Sequence, residues 1–293
     1  MQGAVLLTGD KVRGFSRYKL IFLVFGICGL ISTAWGETKT LQIGLLPSFS
    51  PRALLKNYEY LRIHLERELR QPVVLGTAPD FSAYHRQALE GEYDIVVTAA
   101  HLARLLQREK GWIPLATYKA ANQALLAVAK DGSFNKIDDL RGQAISSADP
   151  LALLAIQTQL WLQEQGLIKG RDYRFVQTPS FTSAAYAVTQ KQVALAVLSP
   201  SSMLQLPDSI RQDLKIFQTL PEIQAITWMV HPRHANEVAR FKQALLNFTV
   251  DTREGREFFL LTGYKGLREI SADQMRGMDP YADMAKLLLN PSR

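Results

Sequence analysis

The chain has 293 residues, a length that suits about two domains of roughly 150 residues each. Hydrophobic residues make up 47% and charged residues 21%, a globular balance that excludes a disordered, collagenous or coiled-coil chain. Its 34 Lys and Arg outnumber its 27 Asp and Glu, for a net charge of +7. No block of those bases is interleaved with aromatics, which speaks against a nucleic-acid partner.

The amino terminus reads as a targeting segment. Lys11, Arg13, Arg17 and Lys19 precede an apolar run over 20–31, and Ala34 and Gly36 form a small-x-small pattern that suits cleavage before Glu37. The run is shorter than the roughly 20 residues of a membrane span, so an export signal over 1–36 is favoured over an uncleaved anchor. That leader holds four bases and one acid, so its removal lowers the charge from +7 to +4. It also takes away Cys28, the single cysteine. The mature chain is then left without a thiol for catalysis, disulfides or metal binding.

Beyond residue 40, short apolar runs alternate with segments of helical period. A strand is predicted over 41–46, ended by Pro47, then a helix over 54–69 with Leu54, Tyr58, Leu61, Leu65 and Leu69 on one face. A strand over 72–75, a helix over 81–89 stopped by Gly91, a strand over 94–98 and a helix over 101–108 follow. Extended runs over 112–118 and 123–129 complete a βαβαβαβ series, the pattern of a largely parallel sheet with helices on both faces. A second series has a helical turn over 137–140, strands over 143–146, 173–177 and 193–198, and helices over 150–165 and 182–190. Pro150 suits a helix start and Asp149 an N-cap. Extended runs over 215–219 and 225–231 lead to helices over 235–250, 254–261 and 281–289. The expected fold is α/β: two doubly wound lobes joined by a two-strand hinge. The predicted division is 37–121 for the first part of lobe one, 122–224 for lobe two and 225–293 for the return to lobe one.

The series GLLPSFSP, YEYLRIHLEREL and QPVVL, then DFSAYHRQALEGEYDIVVTAAHLARL and KIDDLRGQAISSADP, resembles the phosphate/phosphite/phosphonate-type binding proteins of ABC transporters. The resemblance runs from Leu41 to about Tyr264, and the stretch around Gly91 and Asp94 is its most specific part. It implies a type II periplasmic-binding fold with a small ligand between the lobes, phosphonate-like anions included, delivery to a membrane permease, a periplasmic location and a monomer. Open parallel sheets bind ligands beyond the carboxyl ends of their strands, which points to the same place.

Those strand ends nominate Ser48, Phe49 and Ser50 after the first strand, Thr98 and His101 after the third, and Tyr118 after the fourth. Lobe two offers Ser147 and Asp149, Thr182 and Ser183, and Ser199 with Ser201. Hydroxyls at helix N-termini suit an anionic solute. Each nominee has a structural counterpart reading: His101 as a helix-start packing residue, Tyr84 and Tyr118 as cleft walls or core, Ser48 and Ser50 as turn residues, Asp149 as an N-cap. Proteins of this group that grip a phosphonate open the lobe-two helix with a Ser/Thr-rich turn. Here Leu151, Ala152, Leu153 and Leu154 follow Asp149 and Pro150, and Thr182 or Ser183 stands where such proteins commonly carry a histidine.

No enzyme is indicated. The sequence has no G-x-S-x-G elbow, no P-loop and no G-x-G-x-x-G after a strand. His231 and His234 flank Pro232 without a third ligand in sight, so neither a metal nor another cofactor is expected. The sequence therefore reads as a solute receptor for ABC-transporter uptake, with a sensory module feeding a membrane kinase as the alternative.

Overall fold

The computed structural model describes residues 39–119, 122–224 and 226–290. The expected leader and Cys28 lie outside them. Lys39–Arg293 form one compact unit, and among the described residues no helix is long and apolar enough to cross a membrane.

Two mixed sheets organise the unit. The first contains β1 (Leu41–Leu45), β2 (Val73–Gly76), β3 (Ile95–Ala99), β4 (Ile113–Tyr118), β10 (Ile226–Val230) and β11 (Leu267–Arg268), in the order β11-β4-β10-β3-β1-β2. The second contains β5 (Leu125–Ala129), β6 (Gln143–Ser147), β7 (Tyr173–Gln177), β8 (Leu195–Leu198) and β9 (Leu214–Thr219), in the order β7-β6-β8-β5-β9. Within each sheet the strands that alternate with helices pair in parallel. Antiparallel pairs arise where the chain crosses between sheets: β10 lies against both β3 and β4, and β5 against both β8 and β9. The two crossings touch through the Asn122 and Ile223 backbones, whose reciprocal amide–carbonyl bonds are each 2.8 Å. Pro114 cannot donate to a ladder, and the β10–β4 register shifts beside it, between Trp228 and Met229.

Lobe one carries α1 (Pro51–Leu69), α2 (Phe81–Glu90) and α3 (Ala100–Lys110), with α8 (Val238–Leu246) and α9 (Arg253–Thr262) after the return. Lobe two carries α4 (Leu153–Glu164), α5 (Phe181–Thr189), α6 (Pro200–Gln205) and α7 (Asp208–Arg211). The apolar face of α1 packs with Trp228, Phe241, Phe248 and Phe258 on one side of the first sheet. The other side holds Tyr84, Val96, Leu102, Trp112 and Met229. The predicted helix over 235–250 is shorter than its pattern suggests. Residues Pro232–Glu237 form a 3-10 turn with His234 off helical geometry, so α8 begins at Val238. The pattern also gave no sign of β11 or of α10 (Ala272–Arg276), elements too short to carry a period.

α11 (Asp279–Leu289) spans the lobes. Its Asp279 pairs with Arg104 Nε at 2.8 Å, Asp283 with Arg108 at 2.8 Å and Lys286 with Glu109 at 2.9 Å, all on α3. On the lobe-two side Met278, just before the helix, packs with Leu153 and Leu154, and Gln159 of α4 donates to Met284 Sδ.

A buried charge fixes the return strand. Asp94, with its side chain 4% exposed, accepts from the Gln42 amide at 2.8 Å, from Arg233 Nε at 2.9 Å and from His234 Nε2 at 2.7 Å. Arg233 also donates to the Gly91 and Tyr93 carbonyls. Burial opposes the Asp94 charge, but the Gln42 amide, His234 and Arg233 outweigh it and hold the carboxyl below its usual range. Gly91 caps α2 at φ +79°, a left-handed conformation that glycine adopts freely. Gly44 has no room for a methyl group, because a Cβ there would meet the Tyr93 ring at 2.6 Å. The stretch the sequence marked as most specific is therefore a structural knot. Replacing Asp94 by Ala leaves Arg233, His234 and the Gln42 amide without their acceptor. A loss of about 3 kcal/mol of unfolding free energy is expected, checked by urea titration; a loss under about a third of that would show the knot to be dispensable.

Candidate functional site: the junction of the two lobes

The carboxyl ends of the parallel strands of both sheets are followed by α1 to α6, whose first turns are set by local sequence. Ser50 caps α1 by accepting from the Ala53 amide, Asp80 caps α2, Ser180 caps α5 and Ser199 caps α6 in a capping box with Ser202. Two of these six helices have no side-chain cap: α3, preceded by Ala99, and α4, preceded by Ala152. They are also the two that meet across the lobes. Ala100 on the first turn of α3 packs into the lobe-two cluster with Leu153 and Leu154. Leu151 and Ile156 pack in turn into the lobe-one cluster with Leu46, Ala78 and Tyr84. His101 Nε2 lies 2.9 Å from the Leu151 carbonyl. A carbonyl only accepts, so that nitrogen carries the proton and donates.

The nominated residues divide by what they touch. Ser48, Phe49 and Ser50 form the exposed turn after β1, with Phe49 43% exposed. Tyr84 is fully buried, with its hydroxyl 3.0 Å from the Gly44 and Val97 carbonyls. Tyr118 is buried and stacks on Tyr264, with centroids 3.9 Å apart. Thr98 is fully buried, and its hydroxyl has no partner among the described residues. Ser199 is buried in its capping box, while Thr182 is exposed on the first turn of α5 and Ser183 donates its amide to Ser180 Oγ. Asp149 is half-buried and accepts from the Leu151 amide at 2.7 Å. It does not cap the helix expected over 150–165, because α4 begins only at Leu153. The intervening residues turn towards lobe one, where His101 holds the Leu151 carbonyl. The junction thus brings His101 and Asp149 together with Leu151, and leaves Thr98 within β3, Tyr118 in the core and Thr182 exposed.

Two contributors carried no functional signal in the sequence, and a third, Leu151, stood out there only as a position without a side-chain donor. Asp80 raises the pKa of Asp149, although burial of that carboxylate is the larger cause and the Leu151 amide opposes both; its signal was a plain N-cap pattern before Phe81. Thr227 sits opposite Thr98 and Thr117 in the ladder, fully buried, and its hydroxyl has no partner among the described residues. Elsewhere, a recess lined by Asp131, Asp139 and Lys191 opens at the opposite end of the second sheet, with its rim bridged by an Asp131–Lys191 pair at 2.9 Å.

Two histidines near the junction are held neutral. Burial pushes His101 down to about 3, against the partial support of the Leu151 carbonyl, and His85 down to about 4, with Glu109 opposing. Neither His85 ring nitrogen has a hydrogen-bond partner among the described residues. Both folded values lie below the unfolded value, so the unfolded chain binds more protons as pH falls. The stability contributed by the neutral rings is complete above about pH 6.5 and is lost progressively below it. About 2 kcal/mol from each ring is expected to disappear between pH 6.5 and 5. Equilibrium unfolding of the protein and of His85→Phe at the two pH values checks this: the variant should lose about half as much.

The family described as the periplasmic substrate-binding protein of phosphonate ABC transporters matches residues 43–275. No curated protein matches the chain. Among solved structures, XAC2383 from Xanthomonas citri bound to chloride ion superposes with a TM-score of 0.75 at 17% identity, covering 84% of this chain and 97% of its own. PhnD1 from Prochlorococcus marinus in complex with methylphosphonate gives 0.73 at 14% identity, covering 86% and 98%. The aliphatic sulphonate binding protein SsuA from Escherichia coli gives 0.62 at 14% identity, covering 87% and 94%. These likenesses establish a type II periplasmic-binding fold of two lobes, and the match over most of the chain establishes that it belongs to the family of periplasmic phosphonate-type substrate-binding proteins of ABC transporters.

Proposed function

We propose that the chain, after loss of its leader, works as a monomeric receptor that holds a small solute where α3 and α4 meet and presents it to a membrane permease. The meeting of two uncapped helix N-termini carries this reading. The first-turn amides of Leu153 and Leu154 meet no acceptor among the described residues. Ala100, His101 and Leu102 on the first turn of α3 are fully buried. Buried amides without acceptors are costly, and the positive ends of two helix dipoles add to the pull on an acceptor-bearing solute. The two crossings, joined at Asn122 and Ile223, supply a short hinge, and the α3–α4–α11 contact is what must part for solute to enter. Nothing in this arrangement is a nucleophile paired with a base, so the reading is capture without turnover.

The deciding experiment is a thermal-shift screen of the purified protein against carboxylates, sulfonates, phosphonates, amides, amino acids and polyols. A solute present at about 100 times its Kd should add roughly 2.7 kcal/mol of stability, a plainly visible rise in Tm. A reproducible shift with any one solute class supports capture. Failure of every class, repeated by calorimetry, would retire it.

A further inference from the structure

We propose that α11 is a strap across the two lobes: ion pairs fasten it to α3 of lobe one, while releasable apolar contacts let it grip or free α4 of lobe two. It thereby sets how readily the lobes part, without touching solute. This rests on the lobes parting to admit solute, as the proposed function requires. The parting is measured with no solute present, so the two readings fail separately.

The contacts of α11 advance in step along both neighbours. Asp279, Asp283 and Lys286 meet Arg104, Arg108 and Glu109 of α3 in the same chain order. Met278 and Met284 meet Leu153, Leu154 and Gln159 of α4, again in chain order. α11 thus runs parallel to both helices, along the groove between them. Tyr281, half-buried, packs against clusters of both lobes. α3 follows a strand of the first sheet and α4 a strand of the second. Movement of one lobe on the other therefore has to change one of these two contacts.

The two contacts differ in kind. Asp279 accepts from Arg104 Nε at 2.8 Å and from Nη2 at 3.3 Å, a two-point fork that fixes both angle and register. Arg108 bridges Asp279 and Asp283, and α10, just ahead of α11, lies against α3 with its Met275 buried. Towards lobe two α11 makes no ion pair among the described residues. There the contacts are Met278, Tyr281 and Met284, whose thioether accepts from Gln159 at 3.4 Å. Methionine side chains are flexible and adaptable, so such contacts part and reform without a fixed register. α11 therefore stays with lobe one when the lobes separate. Separation returns Met278, Leu153 and Leu154, all buried here, to water, and that cost holds the lobes together. A solute that touches both lobes binds the closed form, so a loosened strap weakens its binding by the factor by which closure is lost.

The test is the distance between the lobes, measured by pulsed electron spin resonance in the full chain. Cys28→Ser removes the single cysteine. Spin labels then go on Lys56→Cys of α1 and Gln205→Cys of α6, exposed positions on opposite lobes. In this background Tyr281→Ala with Met284→Ala cuts the grip on lobe two, and Asp279→Asn with Asp283→Asn cuts the fastening to lobe one. Each pair should raise the population at longer distance by about fivefold or more. Cutting both ends should open the lobes no further than the larger single effect, because a strap released at one end holds nothing at the other. Circular dichroism and Tm confirm folding; should the first pair fail to fold, Met284→Ala alone takes its place. Unchanged distances in either folded variant, or effects that add when combined, overturn the proposal. Opening in both variants beside a screen empty of solutes leaves the strap standing and retires capture. Unchanged distances beside a solute hit do the reverse.

Discussion

The placement of β10 depends on one buried carboxylate. Asp94 sits at the entrance to β3, binds the first residues of β1 through the Gln42 amide, and receives both Arg233 and His234 from the turn that ends β10. A charge this buried survives only with its hydrogen-bonding capacity filled. The return strand therefore has to finish where Arg233 and His234 can reach it. That places β10 between β3 and β4, and with it the second crossing beside the first. The hinge, the antiparallel centre of the first sheet and the seating of α8 follow from that one constraint.

The junction obeys a different logic, because its polar groups are left partly unanswered. The uncapped first turns of α3 and α4 contrast with the side-chain caps of α2 and α5 on either side. Apolar exchange between the lobes, with Ala100 going one way and Leu151 the other, supplies cohesion that the unpaired polar groups do not. Membership of the family fixes the architecture and the transport role.

The α/β class, the alternation of strands and helices and the two crossings were legible in the sequence because each depends on local periodicity and on turn residues such as Pro47 and Gly91. The N-caps at Ser50, Asp80 and Ser180 rest on equally local signals, yet the one cap expected from the sequence was Asp149, which does not cap α4. Where an element is shorter than its pattern, as α4 and α8 are, a tertiary contact has taken residues away from it: His101 holds Leu151, and Asp94 holds His234.

What the sequence could not carry is pairing between residues far apart in the chain. Tyr84 and Tyr118 have the composition of cleft walls, and only the packed structure shows the first committed to the Gly44 and Val97 carbonyls and the second stacked on Tyr264. Leu151 has the pattern of a helix-start leucine, yet 50 residues of separation close on it through His101. Composition and spacing determine which segments form strands and helices, since those forces act within a few residues. Which polar groups end up satisfied, and which face a shared junction, was decided only when the two lobes came into contact, because burial and long-range hydrogen bonding exist only in the folded chain.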